Sequence, residues 1–354
     1  SADQIAPLTP PETCAMLVTS RWTFSAAGLQ NHRVDVMRED EAEKFLLELC
    51  PRIGENAPEL AKNCGYLPLA LRIAGSFLWV NGDSRVENYI KSLADRKKRL
   101  EMFDDSRKRA ELPETEPELL ATFELSYNAL SEEDRKRWRM LGVFPASFAA
   151  TAAQAVWETE ESEAINSLGL FRRYSLIEYD EASSRYSLHD LLADFALAQV
   201  EEGEEVEARL KHASHYKDVL SAADDLYLEG GENILLGLKL FDIEWDNIRT
   251  GFTWVAANSA NNADLTKLCA EYPDAGVYVL SLRQHPREKI RWLELSFVAS
   301  REIGDRRGEG AALGNLGLAY ADLGDARKAI EFYEQALVID REIGDRRGEG
   351  ADLG

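Results

Sequence analysis

The sequence predicts a mainly α-helical chain that ends in an α-solenoid, with a small α/β portion at its start and a hairpin-bearing helical unit in its middle. Three observations predict this. Arg301-Glu-Ile-Gly-Asp-Arg-Arg-Gly-Glu-Gly-Ala311 returns letter for letter at Arg341–Ala351, forty residues later, and periods of roughly 20–50 residues belong to stacked repeats. Apolar residues elsewhere recur mostly at helical spacing. Strand-like runs are few: one continuous apolar run near the start, and one pair flanking the polar tip Glu181–Ser184.

Each repeat reads as two helices. The first, Arg306 to Leu323, carries Leu313, Leu316, Gly317 and Tyr320 on one face, and Gly324-Asp325 breaks it with a residue suited to a left-handed cap. The second, Ala326 to Ile343, sets Ala329, Ile330, Tyr333, Ala336 and Leu337 on its buried side. Small residues at 317, 329 and 336 let the helices approach, and Tyr320 and Tyr333 fill the gaps. This order of residues resembles the tetratricopeptide repeat, in its long-period, kinesin-light-chain-like branch. Arg341 stands where that family places a proline, so longer helices are expected. Ile290, Trp292, Leu293 and Glu294 lie forty residues before Ile330, Phe332, Tyr333 and Glu334, which marks a degraded copy at 286 onward.

A chain of 354 residues has room for two to four domains. Acidic residues outnumber basic ones 63 to 41, a net charge of −22; that field works against general binding to nucleic acid or acidic membrane. The four cysteines, 14, 50, 64 and 269, have no metal-ligand spacing and read as free thiols of a reducing cytoplasm. No apolar run approaches membrane-spanning length and no leader opens the chain, so a cytoplasmic location is expected.

Along the chain, Ala15-Met-Leu-Val-Thr-Ser-Arg21 reads as a buried parallel strand, with His32–Met37 as a second candidate. A helix follows over Glu39–Leu49, with Ala42, Phe45, Leu46 and Leu49 as its stripe. Pro58 opens a short helix closed by Gly65. Leu67–Leu78 reads as a buried helix with Pro68 in its first turn, where a missing N–H costs little. Residues 85–117 are charged and weakly periodic; their two basic clusters, 97–99 and 107–109, read as solvated helix faces. Leu119–Leu130 is an amphipathic helix, and Ser131-Glu-Glu-Asp134 is a capping signal for the next. Helices near 152–157 and 164–174, then a hairpin over 175–188, give a winged-helix pattern. Its candidate recognition segment carries only Arg172 and Arg173, with Glu158, Glu160, Glu161 and Glu163 just before, so a structural role is favoured over DNA contact. Residues 201–285 read as a helical linker with an acidic start and aromatic anchors.

Leu-Val-Thr-Ser-Arg21, Gly65-Tyr-Leu-Pro-Leu-Ala-Leu71 and Leu188-His-Asp190, in that order, resemble the NB-ARC type of the STAND class of signal-transduction ATPases. The resemblance implies a remnant of a nucleotide-binding α/β domain (1–37), a helical domain (38–112), a winged helix (113–200), a helical linker (201–285) and tetratricopeptide repeats (286–354). It further implies that Arg21 reads the terminal phosphate, that Leu67 and Pro68 pack on adenine, and that His189 contacts the β-phosphate of ADP. The family has Met where Leu188 stands, a swap that conserves volume; Asp190 is expected to cap the helix after it. ADP or ATP with magnesium would be the cofactor of a full-length parent, with no tight binding by this chain. No Gly-x-x-x-x-Gly-Lys-Ser/Thr loop is present, so this chain is not expected to hydrolyse ATP. The implied function is the sensor portion of a nucleotide-gated switch, with a protein or peptide effector on the repeats' concave face and homo-oligomerisation on activation. Two alternatives stand beside it: a repeat scaffold that binds partner proteins without nucleotide, and part of a bacterial transcription regulator.

Overall fold

The computed structural model describes residues 14–18, 30, 35–102, 116–201, 203–260 and 262–353. Residues 14–18 and 35–38 form no strand, contrary to expectation at those positions. Among the described residues no strand partner pairs with them, and Met37 donates its N–H to the Tyr66 carbonyl instead. Arg21, with residues 19–20 of the first candidate strand and 32–34 of the second, lies outside the described residues.

The first helical unit is α1 (Glu39–Leu49), a 3₁₀ turn (Pro51–Asn56), α2 (Ala57–Asn63), α3 (Pro68–Val80) and α4 (Val86–Met102). α1 has the bounds its periodicity predicts, with Ala42 and Leu46 buried, and three acidic residues in its first turn oppose the helix dipole. Pro68 occupies the first position of α3. The basic run on α4 is not simply solvated: Lys97 lies 2.5 Å from Glu118, and Arg96 pairs with the buried Glu124.

The second unit comprises α5 (Pro117–Asn128), α6 (Glu132–Met140), α7 (Ala150–Trp157), α8 (Glu161–Arg173), β1 (Glu178–Asp180), β2 (Arg185–Ser187) and α9 (Asp190–Ala198). Ser131 caps α6 by accepting the Asp134 N–H. β1 and β2 pair antiparallel with Tyr179 opposite Tyr186. Phe148, between α6 and α7, adds a bridge to Tyr186, exchanging two backbone bonds of 2.8 and 2.9 Å. Trp138, Phe123 and Phe195 meet in its core, with ring centroids 5.5–6.0 Å apart.

Two helices of 26 residues each, α10 (Glu204–Glu229) and α11 (Asn233–Asn258), form the linker hairpin. Gly237 permits their close approach: a Cβ there would lie 2.4 Å from the Ala223 carbonyl oxygen. α12 (Ala263–Glu271) and α13 (Val277–Arg283) follow, separated by a 3₁₀ turn at Pro273–Gly276. Asp224 on α10 accepts the first N–H groups of α13, from Tyr278 and Val279 at 2.9 and 2.8 Å.

The repeats supply α14 (Pro286–Ile303), α15 (Arg306–Asp322), α16 (Ala326–Ile343) and α17 (Arg346–Asp352). Forty-residue equivalence extends to their caps: His285, Asp305, Asp325 and Asp345 each accept an N–H in the first turn of the next helix. Gly317 faces Tyr333, whose ring would stand 2.6 Å from an added Cβ, as the small-residue reading requires. One position departs. Ile330 is 57% exposed, whereas its counterpart Ile290 is buried against Leu316 and Ala319. The helix that covers Ile290 is α15. The stripe α16 buries is Ala329, Ala336 and Ile339.

Candidate functional site

The turn that presents Leu67 and Pro68 is shaped by two successive left-handed residues, Gly65 (φ 61°) and Tyr66 (φ 57°). Glycine adopts this freely, but tyrosine does so at a cost. The Tyr66 carbonyl accepts the Met37 N–H at 3.0 Å, and its hydroxyl donates to Glu39 at 3.2 Å, which ties the entry to α1 to the turn. Leu67 is extended and half-buried, while Pro68 is exposed.

α3 then lies against the end of α8 and the hairpin. Arg72 reaches Glu178 on β1 at 2.6 Å. Ser76 and Ser175 share a hydroxyl hydrogen bond of 2.8 Å, and the Tyr174 hydroxyl donates to Asn81 at 3.2 Å. Phe77 packs between Tyr89 and Tyr174. The helix begun by Leu67-Pro68 and the hairpin that leads to His189 are therefore fastened to each other. Arg21, the third expected contact, is outside the described residues.

His189 is exposed and corrects one expectation: it, rather than Asp190, is the N-cap of α9. Its Nδ1 accepts the Leu191 N–H at 3.3 Å, and Asp190 is the first helical residue. The chain leaves the extended conformation one residue earlier than the Asp-cap reading assumed. A neutral imidazole that accepts at Nδ1 carries its proton on Nε2, so the ring retains a donor, beside a helix start that favours anions.

Two buried ion pairs, invisible in the sequence, hold this unit to the linker. Arg185 on β2 reaches Glu244 of α11 through both arms, at 2.5 and 2.8 Å, and also donates to the Ser147 hydroxyl at 2.9 Å. Asn247 donates to the same Glu244 at 3.2 Å and to the Ser147 carbonyl at 3.0 Å. Burial would lower the Arg185 pKa, but the Glu244 bonds and charge outweigh it and hold it raised. Arg139 on α6 likewise forks onto Glu204 of α10 at 2.8 and 3.0 Å and donates to the Tyr127 hydroxyl at 2.6 Å. Burial would raise the Glu204 carboxyl; the Arg139 bonds prevail and lower it. Nearby His212 is buried against Phe144 and Tyr216, and burial pushes its pKa down to about 3.

On the face where DNA contact was weighed, Arg172 is engaged within its own unit, 3.3 Å from Glu181 and over the Tyr179 ring. All four cysteines are free, three of them buried. Among the described residues no helix is long and apolar enough to cross a membrane, and no His, Cys, Asp and Glu cluster could hold a metal.

The repeat geometry has an independent counterpart: the tetratricopeptide repeat family model matches residues 310–342. Those residues are a tetratricopeptide repeat. The chain is also similar to two proteins described as Regulatory protein AfsR. It is 33% identical over 235 residues to that of Streptomyces griseus, covering 64% of this chain, and 32% identical over 214 residues to that of Streptomyces coelicolor, covering 57%. The chain spans about a fifth of the length of these relatives, 22% and 20% respectively. Among solved structures it overlaps a Signal Transduction ATPase with Numerous Domains (STAND) protein with a tetratricopeptide repeat sensor from Pyrococcus horikoshii. The identity is 16% and the TM-score 0.36, over 90% of this chain and 56% of that one. An overlap this loose carries no argument about this chain.

Proposed function

We propose that this chain is the sensing and clamping part of a nucleotide-gated regulatory switch. In this reading the repeats bind a protein or peptide effector, and the units before them hold the off state by contacting ADP carried on an adjoining nucleotide-binding domain. Pro68 and Leu67 would meet the adenine, His189 would donate Nε2–H to the β-phosphate, and Arg21 would read the phosphate end. The supporting observation is that Arg72–Glu178 and Ser76–Ser175 fasten the helix begun by Leu67-Pro68 to the hairpin that ends at His189. A ligand that touches both elements favours only their closed arrangement, which is what a switch requires. The Phe148 bridge and the hairpin that follows α6, α7 and α8 support a winged helix, in a structural role. The regulatory relatives support a signalling context.

The test is ADP release from the full-length protein. His189→Ala removes both the cap and the donor and should speed release about tenfold or more, the loss expected of one charge-assisted bond of roughly 1.5–3 kcal/mol. Unchanged release would remove His189 from the site. The second reading, a repeat scaffold without nucleotide, is favoured by the repeat match itself; full-length protein that purifies with no nucleotide and binds none would support it.

A further inference from the structure

We infer that Glu244 is a positioning residue for the His189 loop, and that through it the first repeat helix sets where that loop sits. This rests on the reading of His189 given above and adds the route by which the repeats would act on it. Arg185 is four residues before His189, on the strand that leads directly into the cap of α9. Its guanidinium is 8% exposed and is held at both arms by Glu244, itself 7% exposed. Ser147 and Asn247 complete the set. An arginine buried this way has no second place to go: withdrawing the carboxylate leaves a desolvated charge, so the strand must follow Glu244 or break away from it.

The residue after Glu244 is Trp245, and its ring stacks on Trp292 of α14 at 5.7 Å. Trp292 also stacks on Phe252, one helical turn and more along α11, at 4.1 Å, and meets Tyr272 edge-on. α14 is the helix whose Ile290 and Leu293 receive α15. A shift of α14 reaches α11 through the Trp292 stack, beside the larger α12 contact where Ser296 donates to the Ala270 carbonyl at 2.6 Å, and Glu244 is the position on α11 that the hairpin grips. The opposing arrangement, in which hairpin and repeats move independently, would need a contact on one side of Glu244-Trp245 to be solvent-exposed and loose. Both are buried or stacked.

The test is amide hydrogen exchange on this chain without nucleotide, comparing wild type with Glu244→Gln, Trp292→Leu and the double variant. Glu244→Gln should speed exchange over 178–190 about tenfold, leaving α15 and α16 at wild-type rates, because local opening is reported element by element. Trp292→Leu, which touches no hairpin residue in the contacts above, should also speed exchange over 178–190, by about threefold, and the double variant should be no faster there than Glu244→Gln alone. If Glu244→Gln does not fold, Arg185→Lys, which keeps the charge and loses the fork, is read the same way. Hairpin exchange unchanged in Trp292→Leu, or effects that multiply in the double variant, overturns the inference. Because no nucleotide is present, the coupling can stand while the ADP assignment fails, and the reverse.

Discussion

The junction between the hairpin unit and the linker helices buries ion pairs, whereas between successive repeat helices small and apolar side chains are buried and the ion pairs, such as Arg306–Glu342 and Arg341–Glu349, stay at the surface. At the first, Arg185–Glu244 and Arg139–Glu204 lock β2 and α6 onto α11 and α10. At the second, Gly317 admits Tyr333, and Leu313, Ala336 and Ile339 interdigitate. Burying ion pairs adds little net stability compared with apolar packing of the same volume, but it tolerates few alternative alignments. Apolar stacking of near-identical units extends readily and specifies position less sharply. The difference teaches that this chain spends polar specificity where one position must be held, at the base of the His189 loop, and relies on generic packing where it extends.

The comparison breaks most decisively at Glu244. Glu244→Ala should cost about 3–5 kcal/mol in chemical denaturation, because Arg185 is left buried and uncompensated, whereas Arg185→Met with Glu244→Leu should be near neutral. Equal losses in the single and double variants would show that the pair itself is the source of stability. A smaller effect is expected in the repeats. Gly317→Ala forces the Tyr333 ring aside and should cost about 1–3 kcal/mol, without affecting hairpin exchange. Smallest is the response to acid. The folded His212 pKa, about 3, lies below its ordinary 6.5, so the unfolded chain takes up a proton that the folded chain refuses. The His212 contribution is full well above pH 6.5 and falls below it by roughly 1.4 kcal/mol per unit at most; His215, also pushed down by burial, adds in the same direction, and Asp352, raised by burial to about 6, opposes both. His212→Gln should remove the His212 share of the slope between roughly pH 6.5 and 5 while leaving that of His215 and Asp352; the difference between wild-type and variant urea midpoints across this interval measures it.

Much of the helical architecture was legible because local chemistry fixes helix ends. α1 and α16 have the predicted bounds, Ser131 caps as its motif requires, and Pro68 begins α3 where a proline is tolerated. The caps were less secure where two candidates adjoin, as at His189 and Asp190, since one residue's change of backbone state decides between them. The charged locks were not legible at all. Arg185 and Glu244 are 59 positions apart, and nothing distinguishes that glutamate among 63 acidic residues.

The verbatim recurrence of 301–311 at 341–351 has a further consequence for how the chain finds its register. Two helix starts with the same letters compete for the same kind of berth during folding, so what lies underneath must tell them apart. Gly308 lies against the Asp305 carboxylate and the Ser300 hydroxyl, whereas Gly348 lies against the Asp340 carboxylate, the counterpart of Ser300. Gly310 likewise lies against Asp340 and Ile339 while its copy Gly350 meets no neighbour within 4 Å, so identical letters sit on different ground, and it is the surroundings that distinguish one berth from the next.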